Sequence, residues 1–72
     1  MQAAAAMRIV VNGDEREIAT GATVRELLAS LNIKTRAVAV ERNLEIIPAA
    51  RHAECCLCEG DRLEIVTLVG GG

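Results

Sequence analysis

The sequence predicts an α+β domain in which a four- to five-stranded mixed sheet packs on one helix. Three observations predict it. Runs rich in β-branched residues lie near both ends of the chain, a two-residue hairpin signal follows the first of them, and one stretch between them switches to helical period. At 72 residues the chain is long enough for one small domain, and a chain near this size hides only about 60% of the surface its unfolded form exposes. Its core is therefore thin. Although 51% of residues are hydrophobic, none is aromatic, so Val, Ile, Leu, Ala and Met must build that core and no deep ligand pocket is expected.

The first strand starts at Met7 and runs through Arg8-Ile9-Val10-Val11. Asn12-Gly13 then forms a hairpin turn, because both central positions of a type I′ turn need positive φ. Arg16-Glu17-Ile18-Ala19 returns as the second strand. After Gly21 the period changes: Val24, Leu27, Leu28 and Leu31 fall at i, i+3, i+4 and i+7, one stripe of a helix. Thr23 and Glu26 have the spacing of a capping box, in which each side chain accepts from the other residue's amide. Asn32 tolerates the left-handed conformation that ends helices.

The third strand covers Ala37 to Glu41. A turn around Asn43 leads into a short extended piece, Glu45-Ile46-Ile47, which Pro48 stops. From Ala49 to Leu57 the signal is weak and fits at most a single helical turn. Glu59-Gly60-Asp61 has turn chemistry, and the last strand runs from Arg62 to Leu68 or Val69. The order β-β-α-β-(short β)-β around one helix is the architecture of the β-grasp, or ubiquitin-like, fold, with the last strand central and parallel to the first. Residues 7–69 are expected to form this domain. Residues 1–6 are expected to be a disordered N-terminal extension, and residues 70–72 a flexible C-terminal glycine tail.

The balance of 8 basic against 10 acidic residues, net charge −2, gives no stripe that would attract nucleic acid or an anionic membrane. No stretch approaches the roughly 20 apolar residues that span a bilayer, and the N-terminal residues lack both parts of a signal peptide. A cytoplasmic protein without nucleic-acid or membrane partners, monomeric when alone, is the expectation. Cys55, Cys56 and Cys58 are odd in number and crowded together, which disfavours a disulfide framework. Cys55 and Cys58 have the C-x2-C spacing of zinc sites, but a second pair is missing and His52 is the single histidine. The thiols therefore read as small apolar filler, His52 as a surface or hydrogen-bonding residue, and no metal or cofactor is expected.

The end of the chain, "IVTLVGGG", sets strand residues against three glycines. With the strand held through Leu68, the segment from Val69 to Gly72 would reach roughly 13 Å when extended. Glycine lets surrounding backbone approach closely and adopts φ values closed to other residues, so such a tail can enter another protein's active site. The chemistry left at its tip is the α-carboxylate of Gly72. A carboxylate is a poor electrophile and must be activated, for example as an acyl-adenylate, before a nucleophile displaces at its carbonyl carbon.

"MRIVVNG" (Met7 to Gly13), "TVRELLASL" (Thr23 to Leu31), "VAVERNLEIIP" (Val38 to Pro48), "RHA" (Arg51 to Ala53) and "GDRLEIVTLVGGG" (Gly60 to Gly72) together resemble the ThiS family of sulfur-carrier proteins of thiamine biosynthesis. The resemblance covers nearly everything from Met7 onward. It implies that Gly72 is adenylated by a ThiF-type enzyme using ATP, and that sulfur from cysteine, delivered through a cysteine desulfurase, makes it a thiocarboxylate. The thiocarboxylate would then serve thiazole synthase, ThiG, in thiazole phosphate formation. Gly71 would thread the partners' active sites with Gly70 as added slack, and the chain would be a cosubstrate with no catalytic residue of its own. The cluster "AECCLC" departs from the family pattern and has no role in that mechanism.

Alternation along the last strand puts Leu63, Ile65, Thr67 and Val69 on one face and Arg62, Glu64, Val66 and Leu68 on the other. If the first set faces the helix, Val66 and Leu68 form an apolar docking patch beside the tail. Two other readings share the fold. The small subunit of molybdopterin synthase has a similar Gly-Gly end but is usually longer, and "VAVERN" and "RHA" argue against it. A ubiquitin-like modifier, or an inert interaction module, is the remaining alternative. An independent enzyme is disfavoured, since no nucleophile, base and oxyanion donor can be assembled from one histidine and no pocket.

Overall fold

The computed structural model describes residues 5–33 and 37–68. Its elements are β1 (Ala6–Val11), β2 (Asp14–Ala19), α1 (Val24–Ser30), β3 (Val38–Arg42), β4 (Glu45–Ile47), a 3-10 turn over Ala49–Arg51, and β5 (Arg62–Thr67). The five strands form one mixed sheet in the order β2-β1-β5-β3-β4. β5 is central, parallel to β1 and antiparallel to β3. This is the expected β-grasp arrangement.

Both hairpins turn in two residues whose backbone is left-handed. Asn12 (φ 50°) and Gly13 (φ 86°) join β1 to β2, with Val11 opposite Asp14. Asn43 (φ 49°) and Leu44 (φ 72°) join β3 to β4, with Arg42 opposite Glu45. The second turn places a leucine where glycine is favoured, and its side chain is 90% exposed.

The helix begins as the capping box requires. The Glu26 amide donates to Thr23 Oγ1 at 3.1 Å, and the Thr23 amide donates to Glu26 Oε1 at 2.8 Å. Asn32 follows the helix at φ 61°. Val24, Leu27 and Leu28 are buried on one face of the sheet against Met7, Ile9 and Val11 of β1, Val40 of β3, and Leu63 and Ile65 of β5. The alternation expected along the last strand thus holds through Ile65.

Several strand boundaries and one core residue differ from expectation: β2 already begins at Asp14, ahead of Arg16, and β3 is shifted by one residue to Val38–Arg42. Ala6 belongs to β1 and pairs with Ala19, and the Ala5 carbonyl accepts from the Thr20 amide at 3.1 Å. Ala5 and Ala6 therefore join the domain and not an N-terminal extension, because β2 runs far enough to need partners there. β5 ends at Thr67, although the Leu68 amide still donates to the Ala37 carbonyl at 2.6 Å. Leu57, in the segment with weak signal, is only 3% exposed. Its amide donates to the Ala22 carbonyl, the Val24 amide donates to Cys55, and this bridge ahead of α1 pulls the leucine into the core.

Candidate functional site

Gly70, Gly71 and Gly72, like Val69, lie outside the described residues. What the described residues define is how the strand leading to them is held. On one side β5 pairs with β3 from Leu63 through Thr67. On the other side its parallel partner β1 turns away after Val11, and Asn12 continues the contact with its backbone amide and its side chain. Asn12 Nδ2 donates to the Ile65 carbonyl at 3.1 Å, while the Ile65 amide donates to Asn12 Oδ1 at 2.7 Å. The Asn12 amide itself donates to the Leu63 carbonyl at 2.9 Å. A primary amide presents one donor and one acceptor side by side, as a strand residue does. Asn12 thus makes the turn and clamps the strand.

The start of β5 is fixed by a second device. Asp61 is 5% exposed, and its carboxylate accepts from Arg42 Nε at 2.8 Å, the Cys58 amide at 2.8 Å and Asn43 Nδ2 at 3.0 Å. Asn43 Oδ1 in turn accepts from the Arg62 amide at 2.9 Å. Burial alone would push the Asp61 carboxyl up, but the hydrogen bonds from Cys58, Asn43 and Arg42, with the charge of Arg42, outweigh it and hold the pKa below the ordinary carboxylate value. Arg42 is raised by the same hydrogen bond, which exceeds the effect of its own partial burial. Arg42 and Asn43 end "VAVERN", and Asp61 and Arg62 belong to "GDRLEI", so one network joins two of the sequence's most distinctive pieces.

Past Ile65 the strand leaves the core. Val66 and Leu68 are each 55% exposed, and Val66 stands opposite exposed Ala39 on the sheet face away from the helix. Ile46 of β4, 70% exposed, is paired with Glu41 on the same side.

His52 is buried and its Nε2 lies 2.9 Å from the Ile47 carbonyl, so the proton sits on Nε2 and the ring bonds β4 to the loop that precedes the cysteines. Arg51 pairs with Glu54 on the surface at 3.7 Å. The cysteines are free thiols; Cys55 is half-buried, and Cys56 and Cys58 are exposed. Arg42 Nη1 and Nη2 lie 3.7 Å from Cys55 Sγ and Cys58 Sγ respectively. A shallow cleft of about 520 Å³ beside them is lined by Arg42, Ile46, Pro48, Arg51, Cys55 and Cys56 among others. Among the described residues no three His, Cys, Asp or Glu side chains converge as a metal site would require, and no helix is long and apolar enough to cross a membrane.

The sequence marks Asn12, Asn43 and Asp61 as turn residues, but the long-range bonds of these three and of Arg42 leave no sign in it. Each bonds a residue 18 or more positions away, and local pattern carries no trace of such partners. The one available signal was an acidic residue directly ahead of the last strand, with an Arg-Asn pair closing the third.

A small ubiquitin-like sheet with β5 in the centre, held from both sides, and one helix across it define a β-grasp domain. The model of the ThiS family matches residues 9–72. The chain belongs to the ThiS family. It is 50% identical over 50 residues to the sulfur carrier protein ThiS of Bacillus subtilis, which covers 69% of this chain and 76% of that protein. It is also 48% identical over 66 residues to a thiazole synthase of Paramagnetospirillum magneticum, covering 92% of this chain but only 20% of that longer protein. Among solved structures, the thiamine biosynthesis protein ThiS from Geobacter metallireducens superposes with a TM-score of 0.78 at 30% identity, over 92% of this chain and 100% of its own.

Proposed function

We propose that this protein is a sulfur carrier for thiazole formation in thiamine biosynthesis, with the Gly72 carboxylate as the attachment point. The observation that carries the reading is the family match over residues 9–72, joined to a central β5 whose end is held at Ile65 by Asn12 and at Leu68 by Ala37. A strand held at Ile65 and Leu68 brings a glycine segment to a foreign active site at low entropic cost, since the residues up to the anchor are already ordered.

The chemistry follows from what a carboxylate can do. A ThiF-type enzyme transfers the adenylyl group of ATP to Gly72, releasing pyrophosphate and leaving a mixed anhydride whose leaving group is AMP. A desulfurase moves sulfur from cysteine into a persulfide whose terminal sulfur displaces AMP; a thiol then cleaves the S–S bond of the resulting acyl disulfide, and the freed thiocarboxylate gives its sulfur to thiazole synthase. Gly71 and Gly70 carry no side chain to obstruct a narrow channel. The chain acts as cosubstrate, in the cytoplasm where ATP and cysteine are available, and its partners supply the catalytic groups.

Thiazole synthase is the favoured recipient because a thiazole synthase contains a stretch 48% identical to this chain. A carrier and its synthase held in one polypeptide meet at high effective concentration. Val66 and Leu68, exposed next to the glycines, form the docking patch in this reading. Leu68→Asp places a charge in it while touching none of the buried core, so thermal unfolding should stay unchanged while affinity for thiazole synthase falls at least tenfold. Unchanged affinity, measured by calorimetric titration, removes the patch from the account. Substituting the large subunit of molybdopterin synthase as recipient tests the alternative carrier role.

A further inference from the structure

We propose that Cys58 is a sulfane-sulfur acceptor: its thiol takes up one sulfur atom from a persulfide or polysulfide, and the Arg42 guanidinium holds the product. The proposal rests on the sulfur-carrier reading only for the biological source of the donor, and its chemistry is independent of Gly72.

The three thiols lie within four positions but in different surroundings. Arg42 directs Nη1 to Cys55 Sγ and Nη2 to Cys58 Sγ, each at 3.7 Å. Cys56 is not among its partners. The guanidinium is fixed from behind, because Nε donates to Asp61 at 2.8 Å, and Asp61 also accepts from the Cys58 amide at 2.8 Å. Carboxylate, guanidinium and the backbone of residue 58 thus form one rigid unit, and two nitrogens of the fork are left for sulfur. Cys55 has the guanidinium but is half-buried, and Cys56 has exposure without the guanidinium. Cys58 has both.

A neutral thiol is a weak acceptor, so two guanidinium nitrogens facing sulfur are poorly used in the protein as it stands. A persulfide is a stronger acid than its parent thiol, and its terminal sulfur is anionic at neutral pH. That anion would turn the contact into a charge-assisted hydrogen bond, with a donor already in place. In the transfer, the Cys58 proton passes to solvent and its sulfur attacks the sulfane sulfur of the donor. The donor S–S bond breaks, its electron pair leaves with the departing thiolate or shortened polysulfide, and a new S–S bond forms on Cys58. Sulfur is transferred without net oxidation, so no further reagent is needed.

The test uses the full chain, reduced, in buffer without ATP or activating enzyme, with inorganic polysulfide as probe. Alkylation and peptide mass mapping then report the gain of one sulfur atom at each cysteine. The expected result is a gain at Cys58 several-fold above that at Cys56, abolished by Cys58→Ser, retained in Cys56→Ser, and reduced to the Cys56 level in Arg42→Lys, which keeps a cation for Asp61 but loses the fork. Equal gain at Cys56 and Cys58, or a Cys58 gain indifferent to Arg42→Lys, overturns it. The wild-type comparison of the two exposed thiols decides the matter even if the Arg42 variant is unstable. Gly72 cannot be activated without ATP, so failure here leaves the carrier function standing, and failure of ATP-dependent activation leaves this result untouched.

Discussion

Replacing Asn12 by glycine separates its two roles, since glycine adopts the left-handed backbone of the turn at least as readily as asparagine but has no amide to clamp β5. The change removes two hydrogen bonds, at 2.7 and 3.1 Å, that hold the amide and carbonyl of Ile65. At about 1 kcal/mol each, and with the added backbone entropy of glycine roughly offset by relief of the left-handed asparagine, the expected loss is about 2 kcal/mol. A domain this small has a total stability on the order of 4 to 10 kcal/mol, so the loss is a sizeable fraction of the whole. With a urea dependence of about 1 kcal/mol per molar, the denaturation midpoint should fall by roughly 2 M. Amide exchange at Ile65 should accelerate more than exchange at Leu27 in the helix, because the lost bonds are local to the strand. A midpoint within about 0.3 M of the parent protein, a shift small against that expected slope, would refute the clamp. So would unaltered protection of Ile65.

Two further outcomes follow from the same contacts. Leu44→Gly should stabilise the protein by about 1 kcal/mol in urea denaturation, since leucine at φ 72° bears left-handed strain and buries almost nothing there in return; a loss of stability would mean that Leu44 makes a contact its exposure conceals. Asp61 has a folded pKa below its unfolded value near 3.9, so its contribution is present above that value and lost as pH falls through the folded pKa. Wild-type stability should therefore drop as pH falls below about 4, whereas Asp61→Asn should be less stable at neutral pH and flatter over the same acid range; parallel curves for the two proteins would contradict the assignment.

Much of the architecture was legible because each element carried its own local signal. Asn12-Gly13 marked the first turn, the stripe Val24, Leu27, Leu28 and Leu31 marked the helix, and the Thr23–Glu26 spacing fixed its start to the residue. The central place of β5 matched the β-grasp order assumed for these elements, but no local signal in the sequence fixed it. What stayed hidden depended on distant partners. Leu57 lies in a segment with no period of its own and is buried only because the Thr23–Cys56 bridge draws it inward. Asp61 read as a turn residue, yet its carboxylate ties its own turn, through Cys58, to the end of β3 at Arg42 and Asn43. Asn12 was legible as a turn former and silent as a clamp, since its second role needs a strand 53 residues away. The exposure of Val66 and Leu68 followed from alternation, whereas exposed Thr67 did not, because the sheet outruns the helix that covers it.

Intact mass measurement shows whether Gly72 carries sulfur. The protein is incubated with ATP, a ThiF-type enzyme, a cysteine desulfurase and cysteine, then treated with a thiol reductant to strip any cysteine-bound sulfur before weighing. The expected result is a mass change equal to replacing one oxygen by sulfur, dependent on ATP and lost when Gly72 is deleted. An unchanged mass in a system that thiocarboxylates a known carrier, or a change that survives deletion of Gly72, would contradict it.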